Sequence, residues 1–151
     1  MPFINLSTAK AHLRIDDTAG DADLTLKIAA AERAAIEYLQ CSVYADQTAL
    51  NAAIAAVPAS LSAAKAAYII ADAAADALTD YDMTLDGKAY ALTVYMRAIY
   101  AGTRTRHGFV INELIQHAML LILGHMYEVR EDSADVPEAA ECLLNPFRCY
   151  A

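Results

Sequence analysis

The chain has 151 residues, a net charge of −8 and 58% hydrophobic residues, with 34 alanines but only 5 glycines and 4 prolines. This composition excludes a disordered chain, because disordered chains are poor in apolar residues. It also argues against a protein that coats DNA non-specifically, because such proteins are rich in Lys and Arg. Abundant alanine with little glycine or proline favours long helices. We therefore expect a single all-α domain spanning residues 1–151.

Two further features bear on compartment and class. The longest strongly apolar run, Ala118–Leu123, is much shorter than the roughly 20 residues of a membrane-spanning helix, and the N-terminus lacks the basic and apolar regions of a signal peptide. We expect a soluble protein of cytoplasmic origin that does not engage a membrane. The odd number of cysteines and the absence of a C-x-x-C pair predict neither a disulfide framework nor a zinc site; the cysteines are Cys41, Cys142 and Cys149.

The N-terminal third contains two predicted helices. Ser7 or Thr8 is placed to cap a short helix that runs to about Arg14. A second helix begins at Asp21–Asp23, where carboxylates suit the positive end of the helix dipole, and ends near residues 42–44. Its apolar residues share one face at helical spacing, and they are Leu24, Ile28, Ala31, Ala35 and Leu39.

Residues 45–106 form an alanine-rich insertion. A short helix from Gln47 to Ala56 should end before Pro58. A longer helix from about Ala59 to Asp80, a turn at Met83–Gly87 and a return helix from Lys88 to Arg104 complete the segment. Both long helices carry small residues at heptad spacing, which predicts an antiparallel helical hairpin with a thin seam.

The C-terminal third contains the strongest predicted helix, Val110 to about Arg130. Its centre, Met119–Leu123, is apolar on all sides, which is typical of a helix buried on most sides. A last short helix, Pro137–Leu144, should be ended by Asn145–Pro146. The predicted fold is a small helical bundle around this buried central helix, with a core of residues 1–44 and 107–151 and the hairpin inserted between them.

A search for catalytic and metal-binding patterns favours structural explanations. Aligned as a calcium loop, the acidic segment Asp16–Asp23 places Ile15 and Leu26 at ligand positions, so capping and solvation explain it better. His117 and His125 lie two helical turns apart without an evident third ligand, and we expect hydrogen-bonded core or interface histidines. We therefore expect no catalytic residues, no metal and no cofactor.

Two surface patterns have alternative explanations. Arg104, Arg106 and His107 either end a helix, where cations meet the negative end of the dipole, or contact nucleic-acid phosphate. The tyrosines are either interface residues or half-buried core residues, and six of them are Tyr68, Tyr81, Tyr90, Tyr95, Tyr100 and Tyr127.

Three segments in this order resemble a known family. They are Lys10–Asp16 (KAHLRID), the end of the central helix at Tyr127–Glu131 (YEVRE), and Leu143–Arg148 (LLNPFR). Together they resemble the head–tail connector, or head-completion adaptor, family of tailed bacteriophages. The resemblance covers about residues 1–44 and 107–151, and the chain departs from the family between Asp46 and Arg106.

The resemblance implies a structural virion protein without enzymatic activity or cofactor, located at the head–tail junction and assembled in the host cytoplasm. It implies a homo-oligomeric ring, typically a dodecamer, beneath the portal protein. Such a ring extends the DNA channel and docks the next head-completion or tail protein. Double-stranded DNA would pass through without sequence-specific binding, and an acidic lumen would let it slide.

The motifs also supply candidate interaction residues, which are Tyr127, Arg130, Glu131, Pro146, Phe147, Arg148 and Tyr150. The first three either end the central helix or lock a neighbouring segment or subunit. We expect Leu143 and Leu144 to pack in the core and Phe147–Ala151 to dock on the portal. The alternative function is a small all-α protein-binding or regulatory module without a viral role, with the hairpin as the partner-binding helix pair.

Overall fold

A computed structural model of the protein describes residues 2–129 and 136–149. In chain order the elements are α1 Leu6–Leu13, α2 Asp21–Leu39, β1 Val43–Tyr44, α3 Gln47–Asp76, α4 Tyr81–Arg106, β2 Phe109–Val110, α5 Glu113–Glu128 and α6 Glu138–Leu144, followed by a 3₁₀ turn at Asn145–Phe147. The all-α fold is confirmed. Strands β1 and β2 are two residues each and pair in parallel, with Val43 opposite Phe109.

Side-chain caps set where the helices begin. Asp46, Asp80 and Asn112 each accept a hydrogen bond from the backbone N–H three residues further on, at 2.8, 3.0 and 3.0 Å, which satisfies a donor that the first helical turn leaves unpaired. Helix α1 is capped in the same way by Asn5, which accepts from the Thr8 N–H at 2.8 Å. The prediction of Ser7 or Thr8 as the cap is therefore wrong, because an equally good capping residue precedes them.

Helix α5 is the centre of the core, as predicted. Its inward residues are buried, and they are Ile115, Ala118, Met119, Ile122 and Leu123. The predicted apolar face of α2 packs against it, and all five of its residues are buried. Ala140 and Leu144 of α6 close the other side of α5. Leu143 is partly buried against this core, so the prediction that both leucines pack inward is confirmed.

Residues 47–106 form an antiparallel helical hairpin, but α3 is one continuous helix of 30 residues. The predicted break before Pro58 is wrong. A proline inside a helix removes one backbone hydrogen bond, and Pro58 lies on the exposed side of α3, where water can bind the carbonyl that is left without a donor. At about 1.5 Å per residue, α3 is about 45 Å long.

The turn of the hairpin lies at residues 77–80 and not at Met83–Gly87 as predicted, since Asp80 caps α4. Gly87 is inside α4 and permits close helix packing. A Cβ added there would lie 3.0 Å from the Ala75 Cβ, and one added at Gly102 would lie 3.2 Å from the Val57 Cγ1. A Cβ at either glycine of α4 would push its α3 neighbour away by a few tenths of an ångström, so glycine allows the two helices to pack this closely.

The continuity of α3 also changes the membrane argument. Among the described residues, one helix, α3, is long and apolar enough to cross a membrane by length and composition. Only 6% of its most apolar 18-residue window is buried in the subunit. The expectation that no apolar segment is long enough to span a membrane therefore does not hold. Helix α3 is apolar, and its most apolar window is left almost entirely unburied by the rest of the subunit.

Candidate interaction surfaces

The C-terminal segment is joined to the end of α2 by a disulfide between Cys41 and Cys149. The Cys149 N–H donates to the Leu39 carbonyl at 2.9 Å, which holds the two segments side by side. The prediction that the cysteines form no disulfide is wrong. The two residues are 108 positions apart, so only the folded arrangement of α2 and the C-terminus brings them together. Cys142 is unpaired and exposed.

Side chains around the disulfide pack the C-terminal segment onto the subunit itself. The Tyr38 hydroxyl donates to the Asn145 Oδ1 at 2.7 Å, and the Arg148 guanidinium lies 4.8 Å from the centre of the Tyr38 ring. The rings of Phe147 and Phe109 are 6.0 Å apart. Of the predicted docking residues, Phe147 and Arg148 are thus engaged within the chain, whereas Pro146 is exposed.

Tyr127 lies at the end of α5, 41% exposed, with the Lys27 Nζ 5.2 Å from its ring centre. Lys27 and Tyr38 are eleven residues apart on α2, about 16 Å along the helix. Of the predicted interaction residues, those that the structure describes therefore lie at two separate places along α2. Arg130, Glu131 and Tyr150 lie outside the described residues, so their roles stay predictions.

The base of the hairpin is fixed to the core through Arg104. Its guanidinium binds the Glu37 Oε2 at 3.0 Å and the Ile36 carbonyl at 3.2 Å. The Arg104 carbonyl in turn accepts from the Ser42 N–H at 3.1 Å. This favours the structural alternative for Arg104 over phosphate contact, while Arg106 and His107 remain exposed.

The largest uncovered feature is the apolar surface of the hairpin. Among the described residues, 16 large hydrophobic side chains are exposed, and 12 of them lie between Ile54 and Tyr100. From Gln47 to Ala71, helix α3 carries a single charge, on Lys65. Tyr68 and Tyr95 stack in the seam at 5.4 Å, but Tyr81, Tyr90 and Tyr100 are exposed, which favours the interface explanation for these three.

One part of this surface is defined here as the α4 stripe, made of Tyr81, Leu85, Leu92 and Met96. At 100° per residue these four fall within a 60° sector of α4, beside the face that packs on α3. All four are exposed. Lys88 is next to the stripe and binds the Asp76 Oδ1 across the seam at 2.6 Å. This pairing raises the pKa of Lys88, chiefly through its hydrogen bond to Asp76.

The acidic loop and the histidines show other contacts. Lys10 forms an ion pair with Asp21 and donates to the Asp17 carbonyl at 2.7 Å. The rings of His12 and His117 meet edge to face at 6.4 Å. Within residues 2–129 and 136–149, no three His, Cys, Asp or Glu side chains are grouped so that they could hold a metal ion.

Comparison with protein families identifies the chain. Residues 3–77, about half of its length, match the family described as phage gp6-like head-tail connector protein. The match runs from α1 through α3, so it includes the first arm of the hairpin, where the motif resemblance had ended. Residues 107–151, which carry two of the three motifs, lie outside it. Comparisons with curated proteins and with solved structures gave no match. The chain belongs to the phage gp6-like head-tail connector proteins and is a structural component of the virion.

Proposed function

We propose that the protein assembles in the host cytoplasm as a ring beneath the portal, extends the DNA channel and docks the next head-completion or tail protein. The observation that carries this proposal is the uncovered apolar surface of the hairpin. Soluble monomers rarely expose contiguous apolar patches of this extent, and such patches mark interaction sites. Packing between neighbouring subunits of a ring would cover α3, of whose most apolar window only 6% is buried in the subunit.

The charge of the chain supports passage of DNA through the ring. Each subunit carries a net charge of −8, so a ring of about twelve copies has a strongly negative field. Binding to the DNA backbone depends on Lys and Arg that neutralise phosphates, and acidic surfaces repel them. The proposed role for DNA is therefore passage without sequence-specific binding.

The two patches along α2 are the proposed docking sites for the portal and the downstream protein. Tyr127, together with Arg130 and Glu131, marks one site. Pro146, Phe147, Arg148 and Tyr150 mark the other. The exposure of Pro146 and Tyr127 supports this assignment, while the internal contacts of Phe147 and Arg148 limit what those side chains can offer to a partner.

Assembly is tested by size-exclusion chromatography with light scattering, followed by negative-stain imaging, on the protein alone and mixed with the portal protein of the same phage. We expect rings in at least one of the two samples. A stable monomer in both contradicts the proposal. A monomer alone does not, because assembly on the portal is part of it.

Docking is tested separately with Pro146→Asp, which adds a charge at an exposed position of the C-terminal patch. We expect weaker co-purification with the portal or the downstream protein. The matched control is Ala139→Asp, the same charge on the exposed side of α6. Equal binding by both variants contradicts a docking role for Pro146.

A further inference from the structure

The two ends of the hairpin carry opposite charge. The tip, residues 72–86, contains five acids, which are Asp72, Asp76, Asp80, Asp82 and Asp86. The half of α4 nearer the core contains Arg97, Arg104 and Arg106 and no acid. The acid of α3 at this end, Asp46, caps the helix through the Ala49 N–H. The hairpin is therefore acidic at its tip and basic at its base.

Part of this charge is used inside the subunit and part is not. Asp76 pairs with Lys88, and Arg104 pairs with Glu37. In the part of the chain that the structure describes, Asp82 and Asp86 at the tip and Arg97 and Arg106 toward the base form no ion pair, and all four are exposed. Asp82 and Arg106 are 24 residues apart on α4, about 36 Å. This separation is several Debye lengths at physiological salt, so the two ends act as independent charged sites.

The surface between these ends is apolar. The α4 stripe runs along one side of the hairpin. Ile69 of α3 lies about 100° around its own helix from the seam, and because the two helices are antiparallel, this places it on the same side as the stripe. Tyr81 is 74% exposed and Ile69 is 56% exposed. A partner that meets the tip must be basic with apolar residues beside the charge, whereas a partner that meets the base must be acidic.

The hairpin of a second copy has these properties. We propose that the acidic tip of one subunit lies against the basic base of the next, with the α4 stripe buried between them. The proposal rests on the proposed ring and names the contact that would build it. Each copy offers its tip and α4 stripe to one neighbour and its base to the other, so the contact is head-to-tail, and repeated head-to-tail contacts form a ring where the rotation between neighbours closes.

Two other arrangements fit the surface less well. Hairpins packed side by side with their tips level would place five acids next to five acids, which is unfavourable. A membrane would cover α3, but α4 brings Asp82, Asp86 and Arg97 alongside it, and charged side chains are costly in a bilayer.

Charge reversal tests the contact. One variant carries Asp82→Lys and Asp86→Lys, and a second carries Arg97→Glu and Arg106→Glu. Each should self-associate at least about tenfold more weakly than the wild type in sedimentation velocity, alone or on portal, because attraction between the tip and the base becomes repulsion. An equimolar mixture should regain assembly, since each reversed end then meets its complement. The control is Asp16→Lys with Glu138→Lys, two exposed acids of the core, which should assemble normally.

Chemical cross-linking tests the geometry. In a Cys142→Ser background, copies carrying Asp86→Cys are mixed with copies carrying Arg106→Cys and treated with a bismaleimide. We expect cross-links between the two kinds of copy. Predominant links between two Asp86→Cys copies, or an assembly that stops at two subunits, overturn the head-to-tail contact. Circular dichroism of each exposed-site variant verifies the fold.

The remaining outcomes separate the two proposals. If the wild type forms rings and both charge-reversed variants do so equally well, the tip-to-base contact is wrong and the ring stands. If the wild type neither self-associates nor binds portal, the ring itself is wrong. Binding to lipid vesicles in place of self-association would show that a membrane covers the hairpin and would overturn the contact.

Discussion

The core and the hairpin are both apolar, but only the core covers its own apolar residues. Among the described residues, 20 hydrophobic residues are buried, and 16 of them lie outside α3 and α4. Of the 16 large hydrophobic residues exposed in the same part of the chain, 12 lie between Ile54 and Tyr100. The composition gives the number of apolar residues but does not show whether they are buried. The core and the hairpin differ in how much of their apolar surface is buried within the subunit. The core is complete within one subunit, whereas the hairpin has the surface of an interface.

Side-chain size explains the difference. The core is filled by large residues such as Met119, Ile122 and Leu123, whose burial contributes about 1.5–3 kcal/mol each. The hairpin seam contains small residues at Ala75, Gly87, Ala91 and Gly102, which bury little area. The close approach of α3 and α4 at Gly87 and Gly102 makes up for only part of this missing buried area. We expect changes in the core to affect folding and changes on the exposed side of the hairpin to affect assembly.

The largest effect on folding is expected for Ile122→Asp. Ile122 is fully buried in α5, and an Asp there would place an unpaired carboxyl group in the apolar core, which together with the lost packing costs a large part of the roughly 5–15 kcal/mol of a typical domain's stability. The variant should be insoluble or lack helical circular dichroism. The control is Leu114→Asp in the same helix, at a position 51% exposed, which should fold. A folded Ile122→Asp protein would show that α5 is not the centre of the core.

The disulfide should give the next largest effect. Cys149→Ser, or reduction, releases a constraint across 108 residues and should lower the free energy of unfolding by about 2–4 kcal/mol. Denaturant titration measures the change, and thiol counting should find one free cysteine in the oxidised protein. Cys142→Ser is the control, because Cys142 is exposed and unpaired. Equal stability of the oxidised and reduced protein would contradict the stabilising role.

Gly108→Ala tests the junction between core and hairpin. A Cβ at Gly108 would lie 2.8 Å from the Tyr44 ring and 2.9 Å from the carbonyls of Ser42 and Thr105. Relieving these contacts shifts the β1–β2 pair and should cost about 1–3 kcal/mol in urea unfolding. Gly20→Ala is the matched control, since nothing lies within 4 Å of a Cβ there. If both variants unfold alike, the junction is looser than the structure shows.

The smallest effect is expected at the hairpin tip. Because Asp76 raises the pKa of Lys88, the folded state favours the charged amine. The resulting stabilisation is fully present below the ordinary pKa of 10.5 and is lost as the pH rises through the raised value. Thermal unfolding of wild type and Lys88→Gln should therefore differ slightly at pH 8 and converge at high pH. A difference that persists at high pH would point to packing of the lysine stem.

The sequence was sufficient to predict the buried helix faces where apolar residues repeat at helical spacing. The buried face of α2 was predicted residue by residue and the centre of α5 as the range Met119–Leu123, because burial of apolar side chains produces a helical repeat. Leu120 and Leu121 were exceptions: they were expected at the buried centre of α5 but are only partly buried, because they lie on the flank of the helix.

The predictions that failed depended on contacts between distant segments. A proline normally ends a helix, but Pro58 lies on the exposed side of α3, where the loss of one backbone hydrogen bond is tolerated. The Asp86-Gly87 pair is typical of a turn, yet Gly87 lies inside α4, where it allows a close contact with Ala75 across the seam. No local sequence pattern around Cys41 or Cys149 indicated that the two cysteines form a disulfide. Among the candidate interaction residues, Tyr127 and Pro146 are exposed as an interface requires, and Phe147 and Arg148 pack on Phe109 and Tyr38, which nothing in their motif indicated.

The Cys41–Cys149 bond has a mechanical consequence for a subunit that is pulled from its C-terminal end. The bond makes a covalent short cut, so a pull on the C-terminal end is transmitted directly to the end of α2. The hairpin, α5 and α6 all lie within the closed loop and are bypassed by that tension. A partner that pulls on the C-terminus would therefore act on the end of α2 without first unwinding α6 or extending the hairpin.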